Sequence, residues 1–153
     1  MEKLLNSLRI DFPELTFAPG DDFCWSPADQ TVYYTPSRGM QATWTLLHET
    51  SHGILRHRTF KTDFQLLGIE LAAWEKAKEL AQRYGILINE DHVEDCLDTY
   101  RDWLHKRSLC PGCNMKSLQI DGQTYGCINC AANWHVSSNR LCRPYRMKVG
   151  SRA

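Results

Sequence analysis

The pentapeptide His-Glu-Thr-Ser-His occupies residues 48–52, inside a run from Ala42 to Leu55 that has no proline and a single glycine, which predicts a helix. Residues four apart share one helical face, so His48 and His52 can present two imidazoles to one metal ion. Glu49 lies beside that face, where its carboxylate can take a proton from water. Zinc suits such a set, because two imidazoles and a further carboxylate leave its fourth position for water.

The residues around the pentapeptide indicate that this helix, predicted over about residues 41–56, is buried. Apolar side chains occur on most of its circumference: Trp44, Leu46, Leu47, Ile54 and Leu55. Two histidines and a glutamate in a buried helix cost free energy if they stay unpaired, and a bound metal removes that cost. The pattern therefore favours a metal site over a solvated helix.

A third ligand is predicted on the next helix. Thr62 and Gln65 have the spacing of a capping box, and the helix that they begin ends at Tyr84-Gly85, with glycine in the C-cap region. Glu70 lies close to two turns into this helix, in an otherwise apolar stretch from Leu66 to Trp74. The short turn between the helices brings Glu70 back toward the level of the two histidines.

Other candidates for the third ligand fit less well. His57 follows His52 by five residues, whereas the three-histidine pattern needs six with a glycine between. We therefore expect His57 to be a neighbour of a ligand or a surface group. Glu75 and Glu79 stand beside two lysines, which indicates a solvent-facing part of the helix.

Residues 48–57, followed by Glu70 with Ala73 three residues on and Ala77 seven residues on, resemble the ImmA/IrrE family of zinc metallopeptidases. In that family the glutamate that opens a Glu-x-x-Ala-x-x-x-Ala helix provides the third ligand, which matches Glu70. The resemblance covers roughly residues 23–84 and implies a minimal gluzincin fold. It also implies an activity, since members of that family cleave regulatory proteins such as repressors. After Ala81 the sequence departs from the family pattern, and a cysteine-rich part follows.

The N-terminal part predicts a small sheet in front of the metal helix. Residues 1–10 carry leucines on one face and predict a short amphipathic helix. Three extended stretches follow, at residues 15–18, 23–26 and 31–35, each bounded by turn residues. Residues 32–35 are a candidate for an edge strand along which an extended substrate could bind, and the alternative is that they belong to a core hairpin. The expected fold class is α+β, with a helical core beside this sheet.

The composition excludes several classes of protein. With 42% hydrophobic residues, 24% charged residues and five tryptophans in 153 residues, the chain can bury a core. No apolar run approaches the roughly 18 residues of a membrane span, and residues 1–12 lack the core of a signal peptide. We therefore expect a cytoplasmic protein with no membrane partner, in which cysteines bind metal before they form disulfides.

Four of the seven cysteines predict a second metal site. They form two Cys-x-x-Cys pairs that are 13 residues apart: Cys110, Cys113, Cys127 and Cys130. Between the pairs we expect a hairpin of residues 116–120 and 123–125 that turns at Asp121-Gly122. Four thiolates at this spacing close a tetrahedral zinc site without an open position, so this zinc is predicted to be structural. The chain should bind two zinc ions, one catalytic and one structural. The other cysteines have no partner by spacing and are expected to be small buried side chains: Cys24, Cys96 and Cys142.

The charge is distributed unevenly along the chain. Residues 1–100 carry 9 Lys+Arg against 16 Asp+Glu, net −7, whereas residues 101–153 carry 9 against 2, net +7. Opposite charge suggests two parts with different partners. We predict a metallopeptidase domain over residues 1–106 and a zinc-ribbon domain with a basic tail over residues 107–153.

Basic and aromatic residues follow the second cysteine pair, and the candidates for partner binding are Trp134, His135, Arg140, Arg143, Arg146 and Lys148. Basic charge between aromatic rings suits nucleic acid, and it also suits an acidic protein surface. The alternative is that the zinc ribbon has no binding role and is a small segment that folds because metal binding stabilises it. Three functions stay open: an endopeptidase acting on a repressor-like protein, a protease acting at DNA that resembles the SprT-like family, and a DNA-binding regulator with an inert metallopeptidase core.

Overall fold

The computed structural model describes residues 1–36, 39–138 and 146–149. These residues form four helices and two small sheets, which confirms the mixed α+β class expected from the sequence. Among the helices of these described ranges, none has the length and apolar character that a membrane span needs.

The chain divides into two compact units, and each unit consists of two separate stretches of the sequence. The first unit consists of Met1–Thr59 and Ile69–Val93, and the second of Phe60–Gly68 and Glu94–Ala153. The sequence predicts two domains with a boundary between residues 106 and 107. That boundary describes which parts fold independently, so it stays a prediction.

The first unit begins with a short helix and three strands. Its elements in chain order are α1 (Glu2–Asp11), β1 (Thr16–Pro19), β2 (Cys24–Ser26), β3 (Thr31–Tyr34) and α2 (Met40–Ile54). Two longer helices, α3 (Asp63–Arg83) and α4 (Glu90–Ser108), contribute residues to both units. Helix α1 buries its leucines at positions 4, 5 and 8, as its amphipathic pattern predicts.

The sheet of the first unit has the strand order β1-β3-β2. Strand β1 pairs parallel with β3, and β2 pairs antiparallel with β3. Of the two alternatives for residues 32–35, the edge strand is therefore wrong, because β3 is central and has a partner on each side. The antiparallel pairing of β3 with β2 agrees with the other alternative, a core hairpin. Thr31 and Val32 are buried there, as central positions require, and the edges of this sheet are β1 and β2.

Helix α2 approaches the sheet closely at Gly53. A Cβ atom at this position would lie 3.0 Å from Cδ1 of Leu15 and 3.1 Å from the ring of Trp25. Glycine inside a helix costs about 0.5–1 kcal/mol relative to alanine, and this close approach explains why a glycine occurs here. The C-terminal half of α2, which carries the two histidines, therefore packs directly against β2.

Helix α3 begins and ends as its sequence predicts. The backbone N–H of Gln65 donates to Oγ1 of Thr62 at 3.1 Å, and Oε1 of Gln65 accepts from the N–H of Lys61 at 2.8 Å. After the last turn, Gly85 has φ +66°, the left-handed conformation that glycine adopts without strain. These local signals fix where α3 begins, and thereby which turn carries Glu70.

The second unit contains a four-stranded antiparallel sheet. Its strands, β4 (Leu118–Asp121), β5 (Thr124–Gly126), β6 (Asn133–Val136) and β7 (Arg146–Lys148), lie in chain order. The hairpin expected between the two cysteine pairs is present as β4 and β5, and β6 and β7 extend it. The core of this sheet is small and contains two of the cysteines: Cys110, Tyr125, Cys127, Trp134 and Val136.

Candidate metal centres

His48, His52 and Glu70 meet within the first unit. The histidines lie one turn apart on α2, and Glu70 lies on α3. Nε2 of His48 is 3.1 Å from Nε2 of His52 and 3.2 Å from Oε2 of Glu70, and Nε2 of His52 is 3.7 Å from the same oxygen. Their exposed fractions are only 6%, 7% and 7%, so all three polar side chains are buried.

These distances fit a zinc ion. With zinc–nitrogen and zinc–oxygen bonds of about 2.0–2.1 Å, atoms at the corners of a coordination tetrahedron lie about 3.3–3.4 Å apart. The observed distances of 3.1, 3.2 and 3.7 Å lie on both sides of that value. One carboxylate and two imidazoles are also the donor types that zinc accepts, so this is a candidate metal site compatible with zinc.

The charge state of Glu70 suits a metal ligand. Burial alone would raise the pKa of Glu70, but hydrogen bonds with His48 and His52 outweigh burial and bring that pKa to about 2. The carboxylate is therefore an anion at neutral pH, as coordination requires.

Helix α3 also places Glu75 and Glu79, but neither lies near this cluster of ligand atoms. Lys78 pairs with Glu75 at 3.2 Å, and Lys76 pairs with Glu79 at 2.6 Å. Both carboxylates are exposed to solvent, as the neighbouring lysines indicate in the sequence. Of the three glutamates of α3, Glu70 is thus the one that is buried.

The His48 ring is held by stacking. It lies 4.2 Å from the indole of Trp74, centroid to centroid, with the two planes 27° apart. Nδ1 of His48 is buried and has no hydrogen-bond partner among the described residues. The orientation of this imidazole therefore depends on its aromatic neighbour. No pattern in the sequence predicts that contact, because Trp74 has the spacing of an ordinary core residue.

Glu49 is held by the edge strand β2. Its Oε2 accepts the backbone N–H of Trp25 at 2.8 Å. Burial raises the pKa of Glu49, and the nearby His48 and His52 oppose that rise. A carboxylate with a raised pKa is suited to take and return protons. Sequence reasoning missed Trp25, because a backbone donor 24 residues away leaves no pattern.

His57 lies on the other side of His52. Its Nδ1 is 2.9 Å from Nδ1 of His52, whereas Nε2 of His52 faces Glu70. Burial lowers the pKa of His57, which favours its neutral form. Of the two roles expected for this residue, a neighbour of a ligand and a surface group, the geometry agrees with the first.

The four ribbon cysteines form the second cluster. Sγ of Cys110 is 3.5 Å from Sγ of Cys130, and Sγ of Cys113 is 3.5 Å from Sγ of Cys127. All four sulfurs lie within 4.8 Å of one another. Zinc–sulfur bonds of about 2.3 Å place sulfurs about 3.8 Å apart, so this cluster is also compatible with zinc.

The remaining cysteines differ from expectation. Cys24 is exposed, because it lies on the edge strand β2, and Cys96 is half-buried on α4. Neither is the small buried side chain that was expected. Cys142 lies outside the described residues.

Among the described residues that are expected to bind a partner, two make contacts inside the protein. Trp134 is 0% exposed, stacks on Tyr125 and donates its Nε1–H to the carbonyl of Arg107 at 3.0 Å, so it cannot stack on a base. Arg146 donates to the carbonyl of Leu109 at 2.8 Å. Arg140 and Arg143 lie outside the described residues.

The other two candidates for partner binding are exposed. His135 pairs with Thr124 across the sheet, Oγ1 to Nδ1, at 3.1 Å. The ammonium of Lys148 lies against the first cysteine pair, where a Cβ at Gly112 would be 3.5 Å from Nζ. A cation there offsets the negative charge that four thiolates carry around one zinc ion. These side chains therefore have structural contacts of their own.

No protein-family model, no curated protein and no solved structure matches this chain.

Proposed function

We propose that this chain is a zinc-dependent endopeptidase that hydrolyses peptide bonds of a regulatory protein. The observation that carries the proposal is the meeting of His48, His52 and Glu70 at spacings that fit zinc, with Glu49 next to the first histidine on α2. Two imidazoles, a carboxylate ligand and an adjacent carboxylate base are a set that serves zinc-dependent peptide hydrolysis. In this proposal the helices and sheet of the first unit are a minimal gluzincin core.

A zinc ion at this site would supply Lewis acidity toward a water molecule and a peptide carbonyl. Glu49 takes the proton of the attacking water and passes it to the amine nitrogen that leaves. Because Oε2 of Glu49 accepts the N–H of Trp25, we assign the proton transfer to Oε1. The raised pKa of Glu49 suits both halves of this transfer.

The position of β2 favours an extended peptide as substrate. This edge strand carries Trp25, whose backbone N–H points to Glu49, so a peptide lying along β2 would pass the catalytic carboxylate. The resemblance to the ImmA/IrrE family implies a regulatory protein such as a transcriptional repressor as the substrate. We place the reaction in the cytoplasm, where cysteines stay reduced and can bind metal.

The second zinc is proposed to be structural. Four thiolates fill its coordination, so it has no position for water or substrate. We propose that the zinc ribbon around it positions a substrate or partner.

The test uses the full chain and its Glu49→Gln variant. Both are loaded with zinc, analysed for metal content, and incubated with a proteome-derived library of unstructured peptides, and new termini are counted by mass spectrometry. We expect two zinc ions per chain in both proteins, and cleavage at least about 100-fold slower in the variant, because a general base contributes at least that factor. Glu79→Gln, an exposed glutamate on α3, is the matched control and should cleave like the unaltered chain.

Equal cleavage by the Glu49→Gln variant would contradict the role of Glu49. Absence of cleavage by the zinc-loaded chain would contradict the activity on extended peptides. In that case, proteins that co-purify with the Glu49→Gln variant would identify a folded substrate.

The alternatives drawn from the sequence lack an observation in their favour. A SprT-like protease uses a histidine as third ligand, but Glu70 is the residue that faces both imidazoles in the described part of the chain. A nucleic-acid-binding ribbon loses its main stacking residue, since Trp134 is buried. Both alternatives predict salt-sensitive DNA binding, which a titration with duplex DNA at two salt concentrations would measure.

A further inference from the structure

The two histidines of the candidate zinc site are oriented in different ways. A metal-binding histidine usually donates its second ring N–H to a carboxylate, a carbonyl or water, and this bond fixes its tautomer and plane. Nδ1 of His48 has no such bond to any residue that the structure describes, and its ring stacks on Trp74. His52 has one, and the partner is another imidazole, His57.

We propose that His57 is a positioning residue that fixes the tautomer and ring orientation of His52 for zinc. The inference rests on the proposed zinc site, but it does not depend on peptidase activity.

The geometry determines where the protons lie. Nε2 of His52 faces Nε2 of His48 and the carboxylate of Glu70, so this nitrogen presents its lone pair to the metal. The ring proton of His52 is then on Nδ1, 2.9 Å from Nδ1 of His57. Two N–H groups cannot face each other at that distance, so Nδ1 of His57 accepts and its own proton is on Nε2.

His57 is itself held in place by contacts on both sides of its backbone. Its N–H donates to the carbonyl of His52 at 3.0 Å, and its carbonyl accepts the indole N–H of Trp25 at 2.7 Å. Trp25 also donates its backbone N–H to Glu49. Trp25 on β2 thus contacts both Glu49 and His57. The positions of the proposed base and of the residue that pairs with His52 therefore depend on each other.

The experiment measures zinc affinity. Each full-chain variant is first loaded with one zinc equivalent, which fills the four-thiolate site, and the second equivalent is titrated against a chromophoric chelator. His57→Phe removes the acceptor and keeps a ring of similar size, so zinc affinity should fall about 10- to 100-fold, the range for loss of such a partner. His57→Asn places an amide oxygen near the former Nδ1 and should restore most of that affinity.

A control variant and two spectroscopic measurements separate a positioning role from general damage to the fold. His105→Phe, an exposed histidine on α4, is the matched control and should leave the second zinc affinity unchanged. In the zinc-loaded chain, long-range ¹⁵N–¹H spectra should report the Nδ1–H tautomer for His52 and the Nε2–H tautomer for His57. The visible spectrum of cobalt in the second site should change in His57→Phe and return in His57→Asn.

Unchanged zinc affinity in His57→Phe, the opposite tautomers, or an Asn variant as weak as the Phe variant would each overturn the proposal. Failure of the unaltered chain to bind a second zinc ion would overturn the metal site itself. If zinc binds with the expected dependence on His57 but no peptide is cleaved, the positioning role stands and only the peptidase activity fails.

Discussion

Glu70 and Glu75 lie on the same helix in opposite surroundings. Glu70 is buried against two imidazoles, whereas Glu75 pairs with Lys78 at the surface. We expect Glu70→Ala to reduce bound zinc from two ions per chain to one, because two imidazoles alone hold zinc weakly, and Glu75→Ala to leave both. Metal analysis after dialysis against a weak chelator makes the comparison, and two zinc ions retained by Glu70→Ala would exclude Glu70 as a ligand.

Residue spacing predicts part of this cluster and not its surroundings. His48 and His52 follow from the helical period, and Glu70 stands out as the one charge in an apolar stretch. The contacts of Trp25 and Trp74 with the site come from packing between distant segments, which a single sequence does not encode as a local pattern. The burial of Trp134 is not predictable for the same reason, since an aromatic residue beside basic ones gives no sign of its burial.

At the level of elements, a buried ion pair joins the beginning of α3 to the end of α4 within the second unit. Nε of Arg107 donates to Oδ2 of Asp63 at 2.5 Å, and Nη2 donates to Oδ1 at 3.2 Å. The hydroxyl of Tyr125 on β5 donates to Oδ2 at 2.6 Å, and the guanidinium lies 4.1 Å from the centre of the Trp103 ring. Arg107 is only 2% exposed, so this charge depends on its partners.

Removing one partner of that pair should destabilise the chain strongly. We expect Arg107→Met to lower the free energy of unfolding by about 3–5 kcal/mol, because Asp63 would stay buried without a counter-charge. The double variant with Asp63→Asn should recover part of that loss. Arg101→Met, on the exposed side of α4, is the control and should leave the urea midpoint nearly unchanged. A small effect of Arg107→Met would mean that water reaches the pair.

A second link between elements is sensitive to pH. Tyr84, just after α3, donates to Oδ2 of Asp11 at the end of α1, at 2.7 Å. Burial and this bond raise the pKa of Tyr84 to about 12. Since an unfolded tyrosine ionises near pH 10, the stabilisation is complete below about pH 10 and is lost as pH rises toward 12. The gap in unfolding free energy between the unaltered chain and Tyr84→Phe should therefore shrink between pH 9 and pH 11, and a constant gap would contradict this assignment.

The elements themselves were predictable to different degrees. The beginning of α3 follows from local chemistry, since Thr62 and Gln65 make the bonds that their spacing predicts. The central place of β3 could not be predicted in the same way, because its parallel partner β1 is separated from it by a complete strand. Local signals fix the ends of an element, and its neighbours depend on the whole chain.

For the whole molecule, we expect the two candidate metal sites to contribute differently to stability. The first site lies among helices and a sheet with a substantial apolar core, whereas the core around the four cysteines is small. A small core seldom holds a fold alone, and metal binding can supply the missing free energy. Loss of zinc from the cysteines should therefore unfold more of the chain than loss of zinc from the histidines.

The extent of that unfolding decides where one folding unit ends. The sequence predicts a boundary between residues 106 and 107, but Arg107 on α4 bonds Asp63 on α3, donates to the carbonyl of Ser137, and accepts the indole N–H of Trp134 through its own carbonyl. These contacts join α4 and the first turn of α3 to the ribbon sheet within one unit. We therefore expect these helical segments to lose their order together with the ribbon.

Hydrogen exchange on a chain with Cys113→Ser and Cys130→Ser measures this directly, because two serines prevent the four-thiolate site from closing. Protection should fall at residues 109–136, and also at residues 60–68 and 94–108, while residues 1–59 stay protected because their strands and helix pack among themselves. If protection falls only beyond residue 106, α4 folds with the N-terminal part of the chain, and the Asp63–Arg107 pair does not join it to the four-cysteine sheet in folding. If residues 1–59 also lose protection, the chain folds as one unit and the structural zinc supports both sites.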